Sequence, residues 1–539
     1  MKQENAVLWT ERAVLALIFA GFSFLWAVSF TRHPVLETWL NSKVTMFGVA
    51  SVITAIVALY GNKSSNDFFV KQQRWIIAYF SISYAIVMSA IGLLRHSVFQ
   101  SHAFDLAIFD QAVWSLWAGK FLLSSFKGGI CLLGDHMSPV LVLFAPLYLI
   151  WDNAGVLIVA QAVMTALCFF PLGLIAEEKL GKGAAPIVFA FALFFYQPLR
   201  HSIRSDFHPE FLTNPLFFMS FYCLLKNRLK LFFLGLLGLV LCKENMYGIS
   251  FAFGIYLMFQ RRWRPAVAIL VLSLAFFYLT TQVLVPKLAG GQPYFYQANY
   301  NYLFTGNWGE HPPLVVQPLG FLEYLYKIFL PLSFLSFFDF PTLFLAAPIF
   351  FQNVLSRNPM MHSIAFQYTS GLTPAVFIST IYGMDRLNIW AGKKWNPKTC
   401  RFCLLVSILF FSLALAGKPE RQHFFKYREA DNGHKEIVRE TLRKISPDLS
   451  VIANENLAPH LSHRLELNQF EDYERMPQKS TYPLSSDLVI LDREAVTGNI
   501  GEKIRKVEAS GYDVLSATDG LYLFARRGLD PKAVFSERS

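Results

Sequence analysis

Charged side chains are scarce in this chain, and cysteines scarcer. Only 16% of its 539 residues are Asp, Glu, Lys or Arg, against 54% hydrophobic. A water-soluble fold of that make-up would expose large apolar patches. The six cysteines (Cys131, Cys168, Cys223, Cys242, Cys400 and Cys403) lie mostly in apolar stretches, so a disulfide scaffold is not implied. Cys400 and Cys403 have C-x-x-C spacing but lack a second pair or neighbouring histidines, which speaks against a zinc site. There is no internal repeat, low-complexity segment or nucleic-acid motif, so the net charge of +11 does not point to DNA or RNA. From Lys418 onward the chain is close to neutral. The basic excess therefore sits in short loops of the apolar part, where it acts as a topology signal.

What is abundant is apolar length. The first run, Leu15 to Phe30, has no small-residue cleavage site after it and reads as a retained helix. Val44 to Tyr60 and Trp75 to Leu94 follow. Between them Lys63, Lys71 and Arg74 stand against Asp67 alone, which predicts a cytoplasmic loop and N-terminus. Ser138 to Ile150 is short and is expected to be re-entrant or interfacial, with a full crossing from Ala154 to Ile175. Carried on to Phe402 to Ala416, the pattern predicts an α-helical polytopic membrane protein of about thirteen transmembrane helices with its C-terminus outside. The expected units are a two-helix extension (1–74), a transmembrane domain (75–417) with outer loops 95–137 and 286–318, and a small extracytoplasmic α/β domain (418–539). In the last, Ser450 to Ala453, Asp487 to Leu491, Tyr512 and Leu521 to Phe524 read as strands. Lys435 to Lys444 and Ile500 to Ala509 read as helices.

Ionisable side chains gather on the predicted outer side, where they are functional candidates by default. Asp105 and Asp110 lie in His102-Ala103-Phe104-Asp105-Leu106-Ala107-Ile108-Phe109-Asp110-Gln111-Ala112-Val113-Trp114, and Asp135 and His136 follow Gly134. Arg204, Asp206, His208 and Glu210 form one further cluster, Lys243 and Glu244 another. A fifth polar stretch runs from His362 to Tyr368. Asp105 is either an active-site carboxylate or the N-cap of a helix beginning at Leu106. The step to Asp110 turns roughly 140° on a helix, so the two carboxylates are not expected to share a face. Asp135 and His136 either pair locally in a turn or supply a general base, or hold a divalent cation that the residues permit without requiring. Arg204 and Lys243 either snorkel from membrane ends or stabilise a phosphate or diphosphate leaving group. Asp206, His208 and Glu210 are either binding groups or mutually paired.

At Phe104-Asp105-Leu106-Ala107-Ile108-Phe109-Asp110-Gln111, Gly134-Asp135-His136, Asp206-Phe207-His208-Pro209-Glu210 and Lys243-Glu244, the sequence resembles a family of prokaryotic polytopic membrane proteins defined by a domain of unknown function. The resemblance runs from about Trp75 to Gly520-Leu521-Tyr522-Leu523, leaving the first two spans as an extension. That family in turn is similar to the GT-C glycosyltransferases, which take a sugar from a polyprenyl-phosphate carrier on the outer side of the membrane. The resemblance implies a prokaryotic plasma (inner) membrane location, with membrane lipid and a polyprenyl-phosphate-linked sugar donor as partners. It also implies an essential acid at Asp105 or Asp135 and inversion at the anomeric carbon. Arg204 or Lys243 would steady the departing phosphate, with Asp110, His136, Asp206, His208, Glu210 and Glu244 binding substrate. Two other classes fit the sequence. One is a transporter or flippase of a lipid-linked or anionic solute, which midplane charges in two matched halves would favour. The other is a non-catalytic envelope assembly protein whose outer domain binds a partner.

Overall fold

The computed structural model describes residues 63–306, 311–416, 420–471, 486–496 and 498–535. The first two expected spans, Leu15 to Phe30 and Val44 to Tyr60, lie outside the described residues. Among the described residues, four helices are long and apolar enough to cross a membrane: Phe69–Ser97, Gly155–Leu180, Trp263–Leu288 and Pro397–Ala414. Others that hydropathy counts as crossings are shorter, among them Ala184–Phe195 and Leu229–Val240. A twelve-residue helix rises about 18 Å, against a hydrocarbon core of about 30 Å.

Prolines set several of the breaks. Pro139–Leu149 is a 3-10 helix with Pro146 inside it, which agrees with the expected interruption before the full crossing. That crossing is itself two helices, Gly155–Ala166 and Phe169–Leu180, because Pro171 has no N–H to offer the carbonyl of Leu167. The apolar run from Phe321 to Phe337 is not one helix: Pro318–Phe329 ends within it. Pro331 follows, and Ser333 and Phe334 then take φ of 57° and 55°, outside the helical region.

The C-terminal part carries the expected strands. β3 (Val451–Ala453), β4 (Leu467–Gln469), β5 (Leu488–Asp492), β6 (Tyr512–Thr518) and β7 (Leu521–Arg526) form one sheet in the order β4-β3-β5-β7-β6. β3 runs parallel to β4 and β5, whereas β7 is antiparallel to β5 and β6. Gly433–Lys444 and Ile500–Ala509 are its helices. Strand β4 was not expected, nor was the small hairpin of β1 (Leu123–Ser124) with β2 (Ile130–Cys131). Both are too short to show an alternating pattern.

This sheet region is fastened to the loop that follows Ser97. Phe99, Ala103 and Ala107 are buried in one apolar cluster with Val451, Ile490 and Leu523. The ring of His96 stacks on His460 at 4.0 Å. Gln111 Nε2 donates to the carbonyl of Arg464 at 3.0 Å, and the Leu467 N–H donates to Ser125 Oγ at 3.0 Å. The turn bearing Asp105 therefore has the C-terminal sheet as its floor.

Candidate active site

Asp105 sits in a single π-type turn, Ala103–Ala107, and makes no capping hydrogen bond. The N-cap reading is corrected: Ala103, Leu106 and Ala107 are the buried residues of the turn, which leaves the Asp105 side chain 39% exposed. Its Oδ1 lies 3.1 Å from His208 Nε2. On the other edge of the ring, Nδ1 donates to the carbonyl of Asp206 at 3.0 Å. A carbonyl can only accept, so the proton is fixed on Nδ1 and Nε2 is turned to Asp105. Asp206 receives two bonds from Arg95, at 2.8 and 3.0 Å, and one from the His102 N–H at 2.9 Å. Arg95 and Asp206 thus tie the start of the loop to the segment carrying His208. Burial opposes charge on both members of the Asp105–His208 pair, but their mutual attraction outweighs it. The Asp105 carboxyl is held below its usual range and the His208 imidazole is raised, so each favours the charged form of the other.

The next pair is Glu210 and Lys243, both buried and in direct contact. Burial again works against each charge. Lys243 nevertheless brings the Glu210 carboxyl down, while Glu210 and Glu244 raise the Lys243 ammonium above the usual lysine range. Glu244 is a junction. Its Oε1 lies 3.2 Å from His136 Nδ1 and accepts the Tyr294 hydroxyl at 2.7 Å, and its Oε2 accepts the Met137 N–H at 2.9 Å. The cost of burial is outweighed by His136 and Lys243, and the Glu244 carboxyl falls to about 2. Tyr296 stacks on His136 at 4.6 Å and its hydroxyl lies 2.8 Å from Nε2.

Both local pairings considered give way to longer ones. The side chains of Asp206, His208 and Glu210 pair outward, with Arg95, Asp105 and Lys243, and the bond of His208 Nδ1 within the cluster goes to the Asp206 backbone carbonyl. Asp135 pairs with Lys127 at 3.1 Å and not with His136. Asp110 diverges from Asp105, as the helical step predicts. It is fully buried and takes the Tyr148 hydroxyl at 2.5 Å and the Ser462 hydroxyl, with His463 Nε2 at 3.1 Å. It joins the loop to the C-terminal region. Arg204 ends the helix Gln197–Arg204 and acts on His201. Of the polar stretch from His362 to Tyr368, His362 makes a local contact with the carbonyl of Ser356 at 2.7 Å, while Tyr368 faces Lys243, Glu210 and Asp105.

Gly134 explains the small residue before Asp135. A Cβ there would come within 2.7 Å of the Leu288 carbonyl carbon and 2.8 Å of the Ala289 nitrogen, backbone atoms that cannot step aside. Gly134→Ala is expected to destabilise the protein by about 1–3 kcal/mol and to move His136 off Glu244. A lowered Tm of the detergent-solubilised protein checks it.

A cavity of about 600 Å³ opens beside these pairs. Its lining includes Glu210, Lys243, Glu244, Tyr294, Tyr296 and Tyr368 together with the apolar side chains of Phe251, Leu274, Phe277 and Phe351. Charged groups together with apolar side chains in one cavity match an amphiphile with an anionic head. Asp105, His208, Asp110 and Arg204 are absent from the lining itself. Among the described residues no three His, Cys, Asp or Glu side chains converge as ligands for a metal ion, since the carboxylates here face cations.

Sequence reasoning missed Arg95 as the partner of Asp206, and Tyr294 and Tyr296 as partners of Glu244 and His136. The tyrosines sat in a loop singled out for binding, although an interfacial aromatic belt reads the same in sequence.

No curated protein matches the chain. In fold it is similar to ArnT from Cupriavidus metallidurans. Against the apo structure the TM-score is 0.53 at 12% identity, covering 87% of this chain and 100% of that one. Against the structure bound to undecaprenyl phosphate it is 0.50 at 11% identity, covering 83% and 97%. The chain therefore shares the fold of ArnT, in keeping with the GT-C resemblance carried by its motifs. Residues 95–523 match the family described as "Predicted membrane protein (DUF2079)", a stretch that takes in every site residue named above, and the chain belongs to that family.

Proposed function

We propose that this protein is a membrane-embedded glycosyltransferase that takes a sugar from a polyprenyl-phosphate donor and transfers it to an acceptor on the extracytoplasmic face. The observation that carries the reading is the cavity, lined by Lys243 and by apolar side chains, with His208, the partner of Asp105, on the segment that leads into its Glu210. In this reading about thirteen helices cross a prokaryotic inner membrane. The N-terminus is cytoplasmic, residues 1–74 extend the transmembrane domain 75–417, and residues 418–539 lie outside.

Asp105 is the base. It is ionised, exposed on one side, and has acceptor sites left after its contact with His208. The acceptor hydroxyl gives its proton to Asp105 as its oxygen bonds to the anomeric carbon from the face opposite the phosphate. The bond from that carbon to the phosphate oxygen breaks, and the electron pair leaves with the lipid phosphate. Lys243, whose ammonium has three donors and gives one to Glu210, meets the phosphate charge. Arg204, off the cavity lining, and Asp135, paired with Lys127, are not assigned these tasks.

The lipid-linked glycans of cells with and without the gene test this. Loss of the chain is expected to make a polyprenyl-phosphate sugar accumulate and a glycosylated product disappear, both reversed by the intact gene. Identical profiles in the two strains would overturn the reading.

A pH dependence follows. Asp105 works as the carboxylate, and the His208 imidazolium holds its pKa down against burial. In His208→Gln that opposition is gone, so the acid limb of kcat/KM against pH is expected to move upward by about one unit or more. An unmoved limb would show that His208 does not tune the base.

A further inference from the structure

The polar lining of the cavity also bears on which sugar is carried, given the transferase reading above. Its charged side chains are Glu210, Lys243 and Glu244. Lys243 is paired with Glu210, and Glu244 is held by His136, Tyr294 and the Met137 N–H. The rest of that wall is neutral and polar, made of tyrosine hydroxyls together with amides such as Asn245 and Gln352.

Three of the lining residues keep a buried polar atom with no hydrogen-bond partner: Glu210 Oε2, Asn245 Oδ1 and Ser370 Oγ. Buried polar atoms are ordinarily satisfied, so unmet ones beside a cavity mark places for a ligand's groups. The Asn245 amide nitrogen gives one of its two N–H groups to Gln352 Oε1 at 3.0 Å, and its oxygen is left as an acceptor. The Glu210 carboxylate also only accepts, and the serine hydroxyl does either. The wall therefore asks chiefly for hydrogen-bond donors.

Two kinds of donor are available on sugars, hydroxyls and ammonium groups. An ammonium at Glu210 Oε2 would share its carboxylate with Lys243, which sits on Oε1 of the same group, and the two cations would repel. A carboxylate on the sugar would meet Glu210, Glu244 and unmet acceptor oxygens, and like charge in a poorly hydrated site is costly. Hydroxyls meet neither objection. We infer that the site is built for a neutral, hydroxyl-rich sugar, with Asn245, Glu210 and Ser370 accepting or sharing its hydroxyl protons, and that it selects against uronic acids and amino sugars.

Binding to the full-length protein in detergent separates the possibilities without needing the acceptor. The probes are undecaprenyl phosphate alone and the same lipid carrying glucose, glucuronic acid or glucosamine, and the readout is ligand-induced thermal stabilisation. The glucose lipid is expected to bind about tenfold or more tightly than either charged-sugar lipid, and more tightly than the bare lipid phosphate. Asn245→Leu is expected to erase that advantage while binding of the bare lipid phosphate persists. A charged-sugar lipid that binds as well as the glucose lipid, or an Asn245→Leu variant that keeps the preference, would overturn the inference alone. If none of the four lipids binds, the transferase reading falls and the inference with it.

Discussion

Asp105→Asn is expected to slow sugar transfer by about 10²–10⁴-fold while the protein stays folded and keeps its lipid. The amide fills the same space, and its nitrogen can donate to the Nε2 of a neutral His208 protonated on Nδ1, so the contact now at 3.1 Å survives in form. What is lost is the negative charge that takes the acceptor's proton. Burial then acts on His208 without its main counter-charge, and the imidazole returns towards neutrality. The check is the rate of donor consumption in reconstituted membranes at matched protein abundance, alongside Tm. A variant of full activity would remove Asp105 from the chemistry, and a variant that fails to fold would make its turn structural.

Lys243→Met has an equally large expected effect, of a different kind. It leaves Glu210, whose side chain is only 4% exposed, without its cation. Breaking one partner from a buried pair costs about 3–5 kcal/mol. Adding Glu210→Gln removes the stranded charge, so the double variant is expected to recover most of the Tm. Lipid-phosphate binding should not recover, because the ammonium that meets the phosphate is still missing. Thermal unfolding and undecaprenyl phosphate binding, measured on the wild type and both variants, divide the two roles. Equal recovery of both would make Lys243 a purely structural ion.

Much of this was legible in sequence because it is local. Helical spacing gave Gly433–Lys444 and Ile500–Ala509 nearly to the residue, and alternation gave β5 and β7. The divergence of Asp105 and Asp110 followed from a helical step alone. Partners were harder to read. Asp206, His208 and Glu210 are two apart and look like a self-contained cluster, yet their partners come from Arg95, Asp105 and Lys243, and only the tertiary fold decides that. Crossing number suffers from a related limit. Hydropathy registers that Leu229–Val240 is apolar, but its twelve residues fit a short helix packed among others as well as part of a span. Asp110 was read as a binding residue because it shares a motif with Asp105. The motif in fact does two jobs, with Asp105 turned to His208 and Asp110 and Gln111 fastened to Ser462 and Arg464.

That fastening joins residues 353 positions apart, and it ties catalytic competence to the order of synthesis. The turn of Asp105 leaves the ribosome long before the strands that form its floor. A nascent chain can therefore complete its membrane helices and the lipid cavity while the base still lacks the surface that shapes its turn. On the proposed function, premature termination before β7 is expected to yield a membrane-inserted but inactive protein, so the sheet acts as a completeness check on the site.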